Sequence, residues 1–139
     1  MPIYLIPIIV LIINQIIKLI IESTKGNFSW NHLVSNGGMP SSHSAFASAA
    51  ATVVGLVVGI NSPIFALALT VAMITVWDAF TTRHQIGYQG LIINKLIKEL
   101  PDKEEYKYPL LNERTGHSLG EVLVGIIFGI VMAYLIYLI

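Results

Sequence analysis

The sequence predicts an all-α integral membrane protein: a four-transmembrane-helix up-down bundle with an additional interfacial amphipathic helix. Three observations predict it. Mean hydropathy is +0.73, and 55% of residues are apolar while only 12% are charged, where a soluble domain carries about 25%. Four stretches approach the roughly 20 apolar residues that carry a helix across about 30 Å of hydrocarbon. The ionisable residues gather at connections that would all emerge on one face. At 139 residues the chain has room for one domain, read as a single transmembrane domain over 1–139.

The first span is about 3–21. It lacks the basic flank and small-residue cleavage site of a signal peptide, so it is expected to stay in the mature protein. The second, about 43–60, is rich in Ala, Gly and Ser. Only Asn61-Ser62 separates it from the third, about 63–82, which implies a tight antiparallel hairpin, and Pro63 suits a first helical position. From Leu91 to Lys98 apolar and basic residues alternate at helical spacing, predicting an interfacial helix over about 84–99. Pro101 and the run Asp102 to Glu105 read as a solvated loop. The fourth span is about 118–139.

Four spans put both termini on one side and both long loops on the other. All eight basic residues, from Lys18 to Arg114, fall in those loops or in the helix turns leading to them. The positive-inside bias therefore predicts a multi-pass protein of the cell inner (plasma) membrane, its charged face cytoplasmic and its termini outside. Formal net charge is zero, which gives no indication of a nucleic-acid partner. The absence of cysteine excludes a disulfide framework, thiolate metal ligands and a cysteine nucleophile. Small residues recur four apart at Gly55/Gly59 and Gly125/Gly129/Ala133. Such faces permit close helix contact; they serve packing within the bundle or between copies, and a homodimer is expected.

Polar residues inside apolar spans mark candidate chemistry, because burying them in a bilayer is costly. Asn14, Gln15, Lys18 and Glu22 share one face of the first helix; Lys18 either serves that site, reaches the interface or pairs with Glu22. The run Gly37-Gly38-Met39-Pro40-Ser41-Ser42-His43-Ser44 combines glycines that admit close backbone approach with a helix start. Free N–H groups and serine hydroxyls there form a cradle for phosphate oxygens, within reach of His43. Asp78 is a carboxylate within the third span and calls for a partner, as in an ion pair between helices. Arg83 offers a planar fork suited to phosphate. His117 and Glu121 lie four apart at the start of the last helix; a carboxylate on one imidazole nitrogen leaves the other as nucleophile or base. His32 and His84 have no comparable setting and read as interfacial loop residues.

An up-down bundle brings the end of its first and third spans and the start of its second and fourth to one face. Lys18, Ser41, Ser42, His43, Asp78, Arg83, His117 and Glu121 can therefore converge on one point. Two imidazoles, two cations and a helix start describe a phosphoryl-transfer site that needs no metal and no cofactor.

At these residues the sequence resembles the divergent branch of the type-2 phosphatidic acid phosphatase family, related to vanadium-dependent haloperoxidases and bacterial acid phosphatases. The matching pieces are residues 37–44, Asp78-Ala79 with Arg83, Gly87, Gln89 and Asn94, and Gly116-His117 followed by Glu121-Val122 and Gly125. Gln15 and Lys18 also fit. The resemblance implies His117 as nucleophile, Glu121 as its orienting group and His43 as general acid. It implies Lys18, Gly38, Ser41, Ser42 and Arg83 as phosphate-binding residues, with Asp78 in support. Ser42 stands where the main family has glycine, Glu121 where it has aspartate, and Arg83 lies far from His117 in sequence. The expected activity is hydrolysis of a lipid phosphomonoester through a phosphohistidine. Phosphatidylglycerol phosphate is the preferred substrate, followed by phosphatidic acid and polyprenyl phosphates. A lipid-phosphate binder or transporter without turnover is the alternative, and a metal hydrolase using His43, His117, Asp78 and Glu121 a third possibility.

Overall fold

The computed structural model describes residues 2–24, 38–99, 110–111, 113 and 116–139; of Glu22 it describes the backbone alone. Lys25, His32, Gly37, Arg114 and the loop proposed at Pro101 to Glu105 lie outside them. Among the described residues the structure is all helical. The elements are α1 (Leu5–Thr24), α2 (Ser42–Val58), α3 (Pro63–Phe80), α4 (Thr82–Lys98) and α5 (Leu119–Tyr137). Two helical stretches are long and apolar enough to cross a membrane: Pro63–Lys98, taken through the junction at Thr81, and Leu119–Tyr137. Leu5–Ile21 and Ser42–Val58 are shorter apolar helices.

The ends of these helices follow from local chemistry. Ser41 caps α2 in an extended conformation, Ser62 caps α3 with its hydroxyl accepting from the Phe65 N–H at 3.1 Å, and Pro63 follows where its missing donor costs nothing. Gly59 closes α2 at a φ of 87°, and the chain reverses within three residues. A capping box starts α5: the Ser118 hydroxyl accepts from the Glu121 N–H, and Glu121 accepts from the Ser118 N–H at 2.9 Å.

Helix α2 is the centre of the molecule and packs against α1, α3 and α5. Its buried face is made of small residues, Ala45, Ala47, Ala49 and Ala51 among them, so its neighbours approach closely. The seam with α5 is the tightest. A Cβ at Gly125 would stand 2.6 Å from the Ser41 carbonyl oxygen, and one at Gly129 would strike Ser48 Oγ and the Ala45 carbonyl. Ile6 and Val10 of α1 meet Ala49, Val53 and Ala133 in the apolar core. Large apolar side chains such as Leu67, Met73, Ile74 and Ile127 point outward. That pattern suits a lipid solvent and not water.

Helix α4 follows α3 directly through Thr81 and, among the described helices, contacts α3 alone. Gly87, Gly90, Asn94 and Ile97 face inward while Ile86, Tyr88, Ile92, Ile93 and Leu96 are exposed. His84 lies in its first turn, so the loop setting expected for it is corrected: the helix begins at Thr82, two residues before the predicted start.

Candidate functional site

The polar face of α1 turns inward. Asn14 is fully buried and Lys18 nearly so, 0% and 4% exposed. The Asn14 amide donates to Ser42 Oγ at 3.0 Å and to the Pro40 carbonyl at 3.4 Å, tying α1 to the start of α2. Before that start, Gly38 takes a φ of 98°, a left-handed conformation costly for any residue with a Cβ.

The N-terminus of α2 is held from two sides. Ser41 is completely buried; its N–H donates to the Glu121 carbonyl at 3.1 Å, and its hydroxyl accepts from Ser44 Oγ at 3.0 Å and, longer, from the Ser44 N–H at 3.4 Å. Ser41 is thus committed to capping α2 and docking α5. The amides of Ser42 and His43 sit where helix geometry supplies no intrahelical acceptor.

The chain reaches His117 across the junction of α3 and α4. Gly116 has a φ of 107°, and a Cβ there would stand 2.5 Å from the His84 nitrogen and 2.7 Å from the Arg83 carbonyl carbon. The His117 N–H then donates to the Ala79 carbonyl at 3.3 Å. Close backbone approach therefore brings His117 beside Arg83 despite their distance in sequence.

These constraints set the His43 and His117 rings 6.4 Å apart, centroid to centroid, at 57°. His43 is half-buried and His117 only 3% exposed. His117 Nδ1 lies 3.4 Å from Glu121 Oε2, near enough for charge to act but not aligned as a hydrogen bond. Burial pushes the His117 imidazole below its ordinary value of 6.5, the Glu121 carboxylate pulls it back up, and the Lys18 and Arg83 charges press it down again. The charges of Lys18 and Arg83 also act on His43, so the fields of both cations reach both imidazoles. Arg83 Nε donates to Asp78 Oδ2 at 2.9 Å in a half-exposed ion pair.

The predicted residues Lys18, Ser41, Ser42, His43, Asp78, Arg83, His117 and Glu121 thus occupy one neighbourhood at the helix ends; Gly38 precedes it in the chain. Sequence reasoning gave Asn94 no role of its own. Its buried amide donates to the Leu111 carbonyl at 2.8 Å and to Glu113 Oε1 at 2.9 Å, and its oxygen accepts from the Leu111 N–H at 2.9 Å. It pins to α4 the segment that leads on to His117. A buried-side asparagine on an otherwise amphipathic helix is the signal that could have found it. Among the described residues no three histidine, aspartate or glutamate side chains group to hold a metal ion.

Fold and site together define a helical membrane protein with paired histidines at its helix ends. The chain belongs to the Divergent PAP2 family, whose model matches residues 2–132. It is similar to the uncharacterized membrane protein YuiD of Bacillus subtilis (strain 168), 37% identical over 140 residues, an alignment covering 89% of each chain. No solved structure matches it.

Proposed function

We propose that the protein is a metal-independent membrane lipid phosphatase of four spans that hydrolyses a lipid phosphomonoester through a phosphohistidine. The observation that carries the reading is the pair His43 and His117, 6.4 Å apart at the ring centroids, with the charges of both cations acting on both rings. An attacking nitrogen needs phosphorus at about 3–3.5 Å, and a proton donor needs the leaving oxygen at about 2.8 Å. The reading requires one phosphoryl group to bridge the two rings, each presenting a nitrogen to it.

His117, kept neutral by burial and steered by Glu121, attacks phosphorus; the P–O bond to the lipid breaks and His43 delivers a proton to the departing oxygen. His43, now neutral, takes a proton from water. The water oxygen attacks phosphorus, the P–N bond breaks, and phosphate leaves. Lys18, Arg83 and the amides of Ser42 and His43 offset charge on the equatorial oxygens. Ser41 holds those amides in place, and Gly38 admits the backbone turn before them. Asp78 orients Arg83. With the site on the cytoplasmic face of the plasma membrane, a lipid phosphate made on that leaflet fits best, phosphatidylglycerol phosphate first.

Purified protein in detergent is expected to release phosphate from a panel of these lipids, insensitive to chelator, with His117→Ala inactive. No release from any of them, or a full rate in His117→Ala, refutes the reading. The near-complete burial of His117 favours a second one, a lipid-phosphate binding or transport protein. It predicts that His43→Ala weakens binding where no turnover exists to lose.

A further inference from the structure

An apolar groove of about 440 Å³ runs between α2, α3 and α5, floored by Ala51, Gly55 and Ala72 and walled by Leu69, Met73 and Ile130. The hydroxyls on its surface are occupied within α2: Ser48 donates to the Ser44 carbonyl at 2.7 Å and Thr52 to the Ser48 carbonyl at 2.8 Å. None of the residues lining it carries a charge, so it suits hydrocarbon. At the far end the Phe65 ring fills the space left by the missing side chain of Gly55, 2.9 Å from where a Cβ would stand.

The dimensions choose among hydrocarbon occupants. From Phe65 to Val76, α3 advances about 17 Å along its axis; the empty space beside it, open side included, is about 950 Å³, so its cross-section averages about 56 Å². A helix with side chains, about 10–12 Å across, needs roughly 80–110 Å². A single polymethylene chain, whose carbons keep neighbours about 4 Å away, fits. The other end lies on the side of the paired histidines: Val76 is one turn before Ala79, whose carbonyl holds the His117 N–H, and Ile126 follows Gly125, which abuts Ser41. Leu69 and Met73 are exposed along the side, where a chain in the bilayer could enter between α3 and α5.

We propose that this groove seats one hydrocarbon chain of the lipid whose phosphate enters the His43–His117 site, its headgroup assignment resting on the function proposed above. At about 1.3 Å per methylene, from the carbon–carbon bond length, the seat holds about 13 carbons. The second chain of a diacyl lipid stays in the bilayer.

Photolabelling tests this without turnover. The probe is dodecyl phosphate with a diazirine on its last carbon, irradiated with the full-length protein in detergent and mapped by peptide mass spectrometry. A parallel arm uses the corresponding alcohol. Label is expected at Phe65, Leu69 and neighbouring groove residues, in the wild type and equally in His117→Ala. Leu69→Trp and Ile130→Trp, each at an exposed position, are expected to cut labelling about tenfold by overfilling the seat, whereas Leu67→Trp leaves it unchanged. Groove labelling by the alcohol as well as the phosphate, in a protein that releases no phosphate, retains the seat and removes the phosphatase. Label spread over all outward-facing residues, or undiminished in both groove variants, overturns the proposal. So does a groove protected by a second copy of the chain.

Discussion

Replacing Gly125 with alanine tests how the site is assembled. The added Cβ would lie 2.6 Å from the Ser41 carbonyl oxygen and 3.2 Å from both its nitrogen and its Cβ. Those atoms belong to the buried cap of α2 and cannot swing aside. Restoring ordinary contact requires α5 to withdraw by roughly 0.7 Å, in a seam packed as densely as any protein interior. Overpacking of this kind costs about 1–3 kcal/mol. The withdrawal also stretches the 3.1 Å bond from the Ser41 N–H to the Glu121 carbonyl, worth about 1 kcal/mol. Alanine's better helix propensity returns up to about 1 kcal/mol. The net loss is about 1–3 kcal/mol, or roughly 3–10 °C in midpoint for a chain of this size. Gly120→Ala is the internal control, because nothing lies within 4 Å of a Cβ at that position; it should be neutral or slightly stabilising. Thermal unfolding in detergent, followed by circular dichroism, distinguishes the two. If Gly125→Ala unfolds at the same temperature as Gly120→Ala, the close seam between α2 and α5 is not what holds the site.

The remaining predictions concern single side chains. Arg83→Lys keeps the charge but loses the fork; the pair with Asp78 is part-exposed, so stability should change by no more than about 1 kcal/mol, while KM for a lipid phosphate rises about tenfold. Equal KM in both proteins would remove Arg83 from phosphate binding. Asn94→Ala breaks three hydrogen bonds to Leu111 and Glu113 and should cost about 1–3 kcal/mol, with faster amide exchange at Leu111. An unchanged exchange rate there would show that the pin carries no weight. Because burial holds His117 below 6.5, the unfolded chain binds a proton at that residue before the folded one does. Its contribution to stability is complete above pH 6.5 and is lost as pH falls from 6.5 toward the folded value. Unfolding midpoints measured across that window should slope in the wild type and less so in His117→Gln; parallel curves contradict the assignment.

The helices were legible because their signals are redundant. Each apolar run coincides with a helix, from Leu5–Thr24 against 3–21 to Leu119–Tyr137 against 118–139, and Pro63 sits at the start of its helix. The start of α4 was misplaced because nothing near Thr81 interrupts the pattern: the chain passes from α3 to α4 with no proline, no glycine and no side-chain cap. The candidate cluster was legible because the expected helix order brings to one place the ends of α1 and α3 and the starts of α2 and α5, which the bonds Asn14–Ser42, Ser41–Glu121 and Ala79–His117 join. Its detailed contacts were not. Ser41 reads in sequence as a phosphate ligand, yet its N–H and hydroxyl are occupied by Glu121 and Ser44, a competition that only the three-dimensional seam reveals. Gly116 entered the sequence reading only as part of a matching motif; in the structure its lack of a side chain lets the backbone lie against Arg83 and His84.

All of the proposed chemistry passes through a covalent bond between phosphorus and His117. Protein incubated briefly with lipid carrying radioactive phosphate, quenched in alkali and digested, should yield an acid-labile label on the peptide containing His117. The label should vanish in His117→Ala, whereas in His43→Ala it should both form and decay more slowly, because that side chain serves both steps. Label on another residue, or steady phosphate release by His117→Ala, would contradict the account.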